Sequence, residues 1–195
     1  FAAACKGFGA AAVVAAPPYY FKLTQAECLA WFTEMADRLP LPLVIYDMPA
    51  HTDTVIEPAT IARLAEHPNI VAMKDSSSII ALFNKFRIAL EPQADTFSLF
   101  MGPDEAMGEA VMLGADGGVC TGANLWPAQF KAMYRAAKEG DVEKVRRVCE
   151  AGLGVVISFM DNASIANNQF FHEMVALAEK ENIPHQVKRG ATGGN

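Results

Sequence analysis

An α/β fold built on a parallel sheet is the architecture this sequence predicts, and two patterns predict it. Short apolar runs rich in β-branched residues recur roughly 20–30 residues apart, and each is followed by a longer stretch with helical spacing. No GxGxxG loop follows the first run, which disfavours the dinucleotide-binding sheet and leaves the barrel variant. A closed barrel needs eight such units, and five are countable. The expected architecture is therefore part of a TIM (β/α)8 barrel, its last five units, over residues 1–140, with a C-terminal helical extension over 141–195. Three further units of about 30 residues each would make a parent chain of roughly 290.

The elements follow in order. Phe1-Ala2-Ala3-Ala4-Cys5-Lys6-Gly7 opens without initiator Met, charged leader or cleavage pattern, and reads as the tail of a helix already under way. Residues 11–16 form the first expected strand, closed by Pro17-Pro18. Thr24-Gln25-Ala26-Glu27 has the capping-box pattern of a helix start, with Cys28, Leu29, Phe32, Met35 and Ala36 on one face. The strand Leu43–Tyr46 follows, then a helix from Pro58, a residue suited to a first turn, to Glu66 before His67-Pro68. The strand Ile70–Lys74 runs into a cap-rich loop, Asp75-Ser76-Ser77-Ser78, and a helix from Ile79 to Leu90. The strand Phe97–Met101 leads through Gly102-Pro103 to a helix capped by Asp104 and ending at Leu113-Gly114. A last short strand, Gly117–Cys120, precedes a helix from Pro127 to Lys138, and helices are expected over 142–159 and 166–180. The end, 190–195, is expected to fray.

Composition sets the outer limits. The chain has 195 residues, 52% hydrophobic and 19% charged, with 22 acidic against 16 basic side chains and a net charge of −6. It is too apolar for disorder and too acidic for generic nucleic-acid binding. Arg146-Arg147 and Lys188-Arg189 are isolated pairs among acids, which suits a solvated surface rather than a phosphate stripe. The strongest apolar run, Leu153–Met160, is far short of the roughly 20 residues a membrane helix needs, so no membrane partner is expected. Cys5, Cys28, Cys120 and Cys149 are scattered without CxxC or Cys/His spacing. Reduced thiols, a cytoplasmic setting and no metal site are the expectation.

Catalytic groups of β/α barrels lie at the C-terminal ends of strands. Two polar residues fall there after apolar runs: Tyr46 in Val44-Ile45-Tyr46 and Lys74 in Ala72-Met73-Lys74. Partial desolvation at such a site favours the neutral amine, which attacks a carbonyl to form a Schiff base. Taken singly, each also suits a bland role: a rim lysine reaching solvent, or a packed tyrosine whose hydroxyl finds a partner. Their place on adjacent strands of one rim strengthens the catalytic reading.

Val14-Ala15-Ala16-Pro17-Pro18-Tyr19-Tyr20, Ile45-Tyr46-Asp47-Met48-Pro49, Asn69–Ser77 and Leu113–Val119 together resemble, in order and spacing, the dihydrodipicolinate synthase and N-acetylneuraminate lyase superfamily. The resemblance covers about Gly9 to Lys138 and is far more specific for the superfamily than for a substrate. It implies an enzyme without metal or organic cofactor that holds pyruvate or another 2-oxo acid as a Schiff base on Lys74. The imine then acts as an electron sink for lyase or aldolase chemistry with an aldehyde partner. Tyr46 matches the family's proton-shuttling tyrosine, and Tyr20 matches one that completes the relay across a subunit interface. A phenol is a poor base at neutrality unless a cation and a hydroxyl relay assist it. The resemblance also implies a homo-oligomer, a tetramer built as a dimer of dimers. The family's early hydroxyl residues have no counterpart here, so chain 1–195 alone is expected to be inactive.

The substrate signals diverge. In the lysine-biosynthesis enzymes of the family, the loop after the tyrosine strand carries an arginine that binds a carboxylate. His51 stands at that position, and an imidazole does not reproduce arginine's bidentate fork. Gly102-Pro103-Asp104-Glu105 resembles the pair with which sugar-acid lyases contact a polyol, with Thr121 as a nearby hydroxyl and Gly118 and Val119 on the same rim. Asp104 and Glu105 serve equally well as helix-start acids, and Ser76 suits either substrate contact or a helix cap. The run Lys74-Asp75-Ser76-Ser77 is also similar to 2-keto-3-deoxy-sugar-acid and 4-hydroxy-2-oxoglutarate aldolases. Two rivals stay open: a phosphate-binding barrel using Gly117-Gly118 and Gly122, and a catalytically silent homologue serving as a binding protein.

Overall fold

The computed structural model describes residues 1–149. Five strands, β1 (Val13–Ala15), β2 (Leu43–Asp47), β3 (Ile70–Asp75), β4 (Ser98–Met101) and β5 (Gly117–Gly118), form one sheet in sequence order. Every pairing is parallel. Helices α1 (Ala2–Gly7), α2 (Gln25–Arg38), α3 (Pro49–Thr52), α4 (Pro58–Leu64), α5 (Ile80–Ala89), α6 (Met107–Met112), α7 (Pro127–Glu139) and α8 (Val142–Val148) fill the connections. Consecutive parallel neighbours joined by helices are the advance of a β/α barrel.

Alternation along the strands separates two faces. Leu43, Ile45 and Asp47 of β2 are buried, whereas Val44 and Tyr46 between them are only half-buried. Met73 and Asp75 of β3, and Leu99 and Met101 of β4, continue the buried face. Against it pack Phe32 of α2, Ile61 of α4, and Phe83 and Phe86 of α5, all fully buried. The half-buried face carries Tyr46 and Lys74. The short apolar runs thus close a helix layer on one side of the sheet and leave the other side to the site.

Local chemistry sets the element ends. Thr24 caps α2 as expected: its Oγ1 accepts from the Glu27 N–H at 3.3 Å, and Glu27 Oε2 accepts from the Thr24 N–H at 2.8 Å. Pro127 opens α7, and Gly140 ends it in the left-handed region at φ 73°. Asp104 does not cap the following helix. That helix begins only at Met107, because the Asp104 carboxylate is turned to the Gly122 N–H, 2.7 Å away. The last strand is shorter than expected, two residues instead of four, and α3 was not foreseen. Of the expected helix 142–159, α8 is the described part. The remainder, the helix over 166–180 and the terminus 190–195 lie outside the described residues.

Asn69, just before β3, ties three carbonyls together. Its Nδ2 donates to Ala36 O at 2.8 Å, Leu41 O at 3.2 Å and Leu39 O at 3.3 Å, linking the end of α2 to the entries of β2 and β3. Asn69→Ala is expected to lower unfolding free energy by about 1–3 kcal/mol, since it strands those carbonyls. Urea denaturation with an unchanged m-value checks this.

Candidate active site

The register of the sheet assembles the site. Tyr46 pairs with Lys74, and Lys74 with Phe100, at the C-terminal ends of β2, β3 and β4. These three side chains share one face because the strands are in step. Lys74 Nζ lies 4.3 Å from the centre of the Tyr46 ring, a cation–π contact that fixes the amine beside the phenol. Gly117 pairs with Phe100 from β5 and lies against its ring.

Backbone bonds extend the rim past the strand ends. Ser76 N–H donates to Asp47 O at 2.8 Å, Gly102 N–H to Asp75 O at 2.7 Å, and Val119 N–H to Met101 O at 2.9 Å. Ser76 and Gly102 therefore meet directly over Lys74. A Cβ on Gly102 would stand 3.0 Å from Lys74 Cε and collide with Ser76 Oγ. Glycine is required here by close approach, since its φ is not in the left-handed region.

Asp104 is 4% exposed, and its bond to Gly122 makes it the clasp of the loop after β5 rather than an open acceptor. Cys120 belongs to the same cluster. Burial first, then the Asp104 and Glu105 carboxylates, push its thiol up to about 12, with Lys74 opposing them. Asp104, Glu105 and Lys74 therefore all lie within electrostatic reach of the Cys120 thiol. Glu105, Gly118, Val119 and Thr121 are exposed on this rim.

Tyr20 and His51 stand apart from that cluster. Tyr20 is 79% exposed in the loop after β1, edge-on to Phe21 with ring centres 4.8 Å apart. His51 is exposed on α3. Both follow C-terminal strand ends, so they share the rim with Lys74.

Sequence reasoning missed Phe100, and read Cys120 only as a thiol. Phe100 carried a signal, since it is the strand-end aromatic in the run after Phe97, but its partner Lys74 emerges only from the β3–β4 register. Among the described residues no group of three or more His, Cys, Asp or Glu is placed to hold a metal ion, and no helix is long and apolar enough to cross a membrane.

The family model of the dihydrodipicolinate synthetase family matches residues 1–168. The chain belongs to that family. It is 34% identical over 151 residues to the 4-hydroxy-tetrahydrodipicolinate synthase of Staphylococcus carnosus, covering 75% of this chain and 51% of that protein. The solved dihydrodipicolinate synthase of Bacteroides thetaiotaomicron is 35% identical, with a TM-score of 0.78 over 96% of this chain and 65% of that one. The chloride-inhibited dihydrodipicolinate synthase of Acinetobacter baumannii, complexed with pyruvate, shares the fold at a TM-score of 0.82 and 22% identity, covering 94% of this chain and 70% of that one. The chain spans about half the length of the curated relatives it matches. The expectations of the family and of part of a β/α barrel are both borne out.

Proposed function

We propose that this family member is a Schiff-base lyase acting on pyruvate-derived 2-oxo acids, with Lys74 as the nucleophile. The observation that carries the reading is Lys74 Nζ held 4.3 Å from the Tyr46 ring centre on adjacent strand ends. In this reading Nζ attacks the keto carbon and water leaves, giving a protonated imine. Loss of a C3 proton yields the enamine, whose C3 adds to an aldehyde carbonyl; the reverse sequence cleaves the same bond. The Tyr46 hydroxyl carries the proton to and from the reacting oxygen, the protonated imine formed on Lys74 being the neighbouring cation. Tyr20 completes the relay from a partner subunit in a dimer of dimers. The pyruvate bound by the Acinetobacter baumannii relative supports the choice of oxo acid.

The 2-oxo acid made or cleaved is of the 2-keto-3-deoxy sugar acid or 4-hydroxy-2-oxoglutarate type, the adduct of pyruvate with an aldehyde. Exposed Glu105 and Thr121 on the rim offer acceptors to hydroxyls, beside the backbone at Gly118 and Val119, and Ser76 and Gly102 line the imine end. A second reading, 4-hydroxy-tetrahydrodipicolinate synthase, is favoured by the names of the relatives at 34–38% identity. His51 in place of a carboxylate-binding arginine stands against it.

The test is borohydride reduction of the natural full-length protein with pyruvate, followed by mass spectrometry. A reduced pyruvyl adduct on Lys74 is expected. An adduct elsewhere, or none, overturns the reading. Turnover with aspartate semialdehyde against cleavage of 2-keto-3-deoxy sugar acids then separates the two substrate classes.

A further inference from the structure

Behind Tyr46 and Lys74, on the opposite face of the same strands, stand Asp47 and Asp75. They are register partners across β2 and β3, and both are fully buried. One oxygen of each is satisfied: Asp47 Oδ1 accepts from the Ile56 N–H at 3.3 Å, and Asp75 Oδ1 from the Ser77 N–H at 2.8 Å. The remaining oxygens, Asp47 Oδ2 and Asp75 Oδ2, are sealed from solvent with no hydrogen-bond partner. Two buried carboxylates facing each other are costly if both are ionised and each lacks a donor.

The helices packed on this face bring no counter-charge. α2 turns Cys28, Phe32 and Ala36 inward, α4 turns Thr60, Ile61 and Leu64, and α5 turns Phe83 and Phe86. Among the described residues, the titratable group those helices add is the Cys28 thiol, while Arg38, Arg63, Lys85 and Arg87 are exposed. The buried hydroxyls of the segment after β2 do not supply a donor to either oxygen: Thr52 Oγ1 donates to Met48 O and Thr54 O, Thr54 Oγ1 accepts from the Leu23 N–H, and neither bonds to Asp47 Oδ2 or Asp75 Oδ2.

We propose that Asp47 and Asp75 share one proton between their Oδ2 atoms, and that this bond draws the ends of β2 and β3 together and positions Tyr46 over Lys74. A carboxyl–carboxylate hydrogen bond satisfies both orphan oxygens with a single proton and leaves one charge in place of two. Burial first, then the charge of Asp75, pushes Asp47 up to about 7, against the Ile56 bond; burial also raises Asp75, against its Ser77 bonds. A folded carboxyl held above its unfolded value contributes stability that is complete below the ordinary carboxylate range and is lost as pH rises through about 7. Above that pH the two carboxylates repel across β2 and β3, and the contact between Tyr46 and Lys74 loosens. The shared proton stands on burial and register alone; its catalytic consequence rests on the Schiff-base reading.

The natural full-length protein, Asp47→Asn and Asp75→Asn would be compared. At about pH 6, infrared spectroscopy of the parent is expected to show a protonated-carboxyl stretch that titrates away towards pH 8, a measurement that needs no variant. Either single amide is expected to abolish that band, because its N–H₂ takes the proton's place and the remaining carboxylate ionises. The parent's melting temperature and its rate of pyruvate trapping, each relative to the amide variants, are expected to fall over the same pH range. A parent without the band at pH 6, or a band persisting in either variant, overturns the shared proton. Trapping profiles of parent and variants that run parallel overturn the positioning role. Failure of all three proteins to trap pyruvate on Lys74, with the band behaving as expected, overturns the Schiff-base reading instead.

Discussion

Lys74→Ala is expected to lower imine-dependent turnover on the order of 10³–10⁶-fold, the range found when a covalent nucleophile is removed and the rest of a site survives. The residual rate would come from a rim that still binds substrate through Ser76, Gly102 and their neighbours. Lys74→Arg makes the decisive comparison. A guanidinium retains the positive charge and the ability to stack on the Tyr46 ring, but it is never deprotonated in a protein and so cannot attack a carbonyl. If Lys74 acted as a charge alone, arginine would restore most of the activity. The expected result is that Lys74→Arg is as slow as Lys74→Ala, with no borohydride adduct in either. The folded state should survive both changes, because Lys74 is half-buried on the open face and its stability contribution is confined to the ring contact. Circular dichroism together with kcat separates the two effects.

The parts of this site that were legible in the sequence are those dictated by one strand at a time. Leu43–Tyr46 and Ile70–Lys74 are apolar runs that end in a polar residue, and a polar residue at that point stands out against the run. The capping box at Thr24 is equally local, its partners being three residues apart. What was not legible depends on distance along the chain. Asp104 has the spacing of an N-cap, yet the loop after β5 brings the Gly122 N–H to its carboxylate across 18 residues, and that bond displaces the cap. Asp75 follows the lysine and precedes three serines, so it reads as loop. The structure makes it the last residue of β3, because its carbonyl accepts from the Gly102 N–H and keeps it in the ladder. Asp47 reads as the start of the loop for the same reason. Both lie in the core because strand alternation sends every second side chain there, whatever its polarity. The row of Tyr46, Lys74 and Phe100 required the registers of two separate strand pairs.

Gly102→Ala is expected to cut activity by about 10²-fold, the size of effect produced by moving a reacting group about 1 Å. The added methyl would lie 3.0 Å from both Lys74 Cε and Asp75 O and would overlap Ser76 Oγ. Asp75 O is backbone held in the sheet, so the strain falls on the two side chains, and Lys74 is pushed off the Tyr46 ring. Overpacking of this kind costs about 1–3 kcal/mol of stability, so a loss of activity alone would be ambiguous. Two further variants resolve it. Gly117→Ala places its methyl 3.6 Å from Phe100 Cδ1, an ordinary contact on the neighbouring strand, and is expected to leave activity near that of the parent. Ser76→Gly combined with Gly102→Ala removes the overlap with Oγ and gives the methyl a place to sit. Recovery of a substantial part of the lost kcat in the double variant, beyond the sum of the single effects, is the expected coupling between residues in contact. Strict additivity of the two substitutions, or a Gly102→Ala protein that traps pyruvate at the parent rate, would show that Gly102 does not set the position of Lys74.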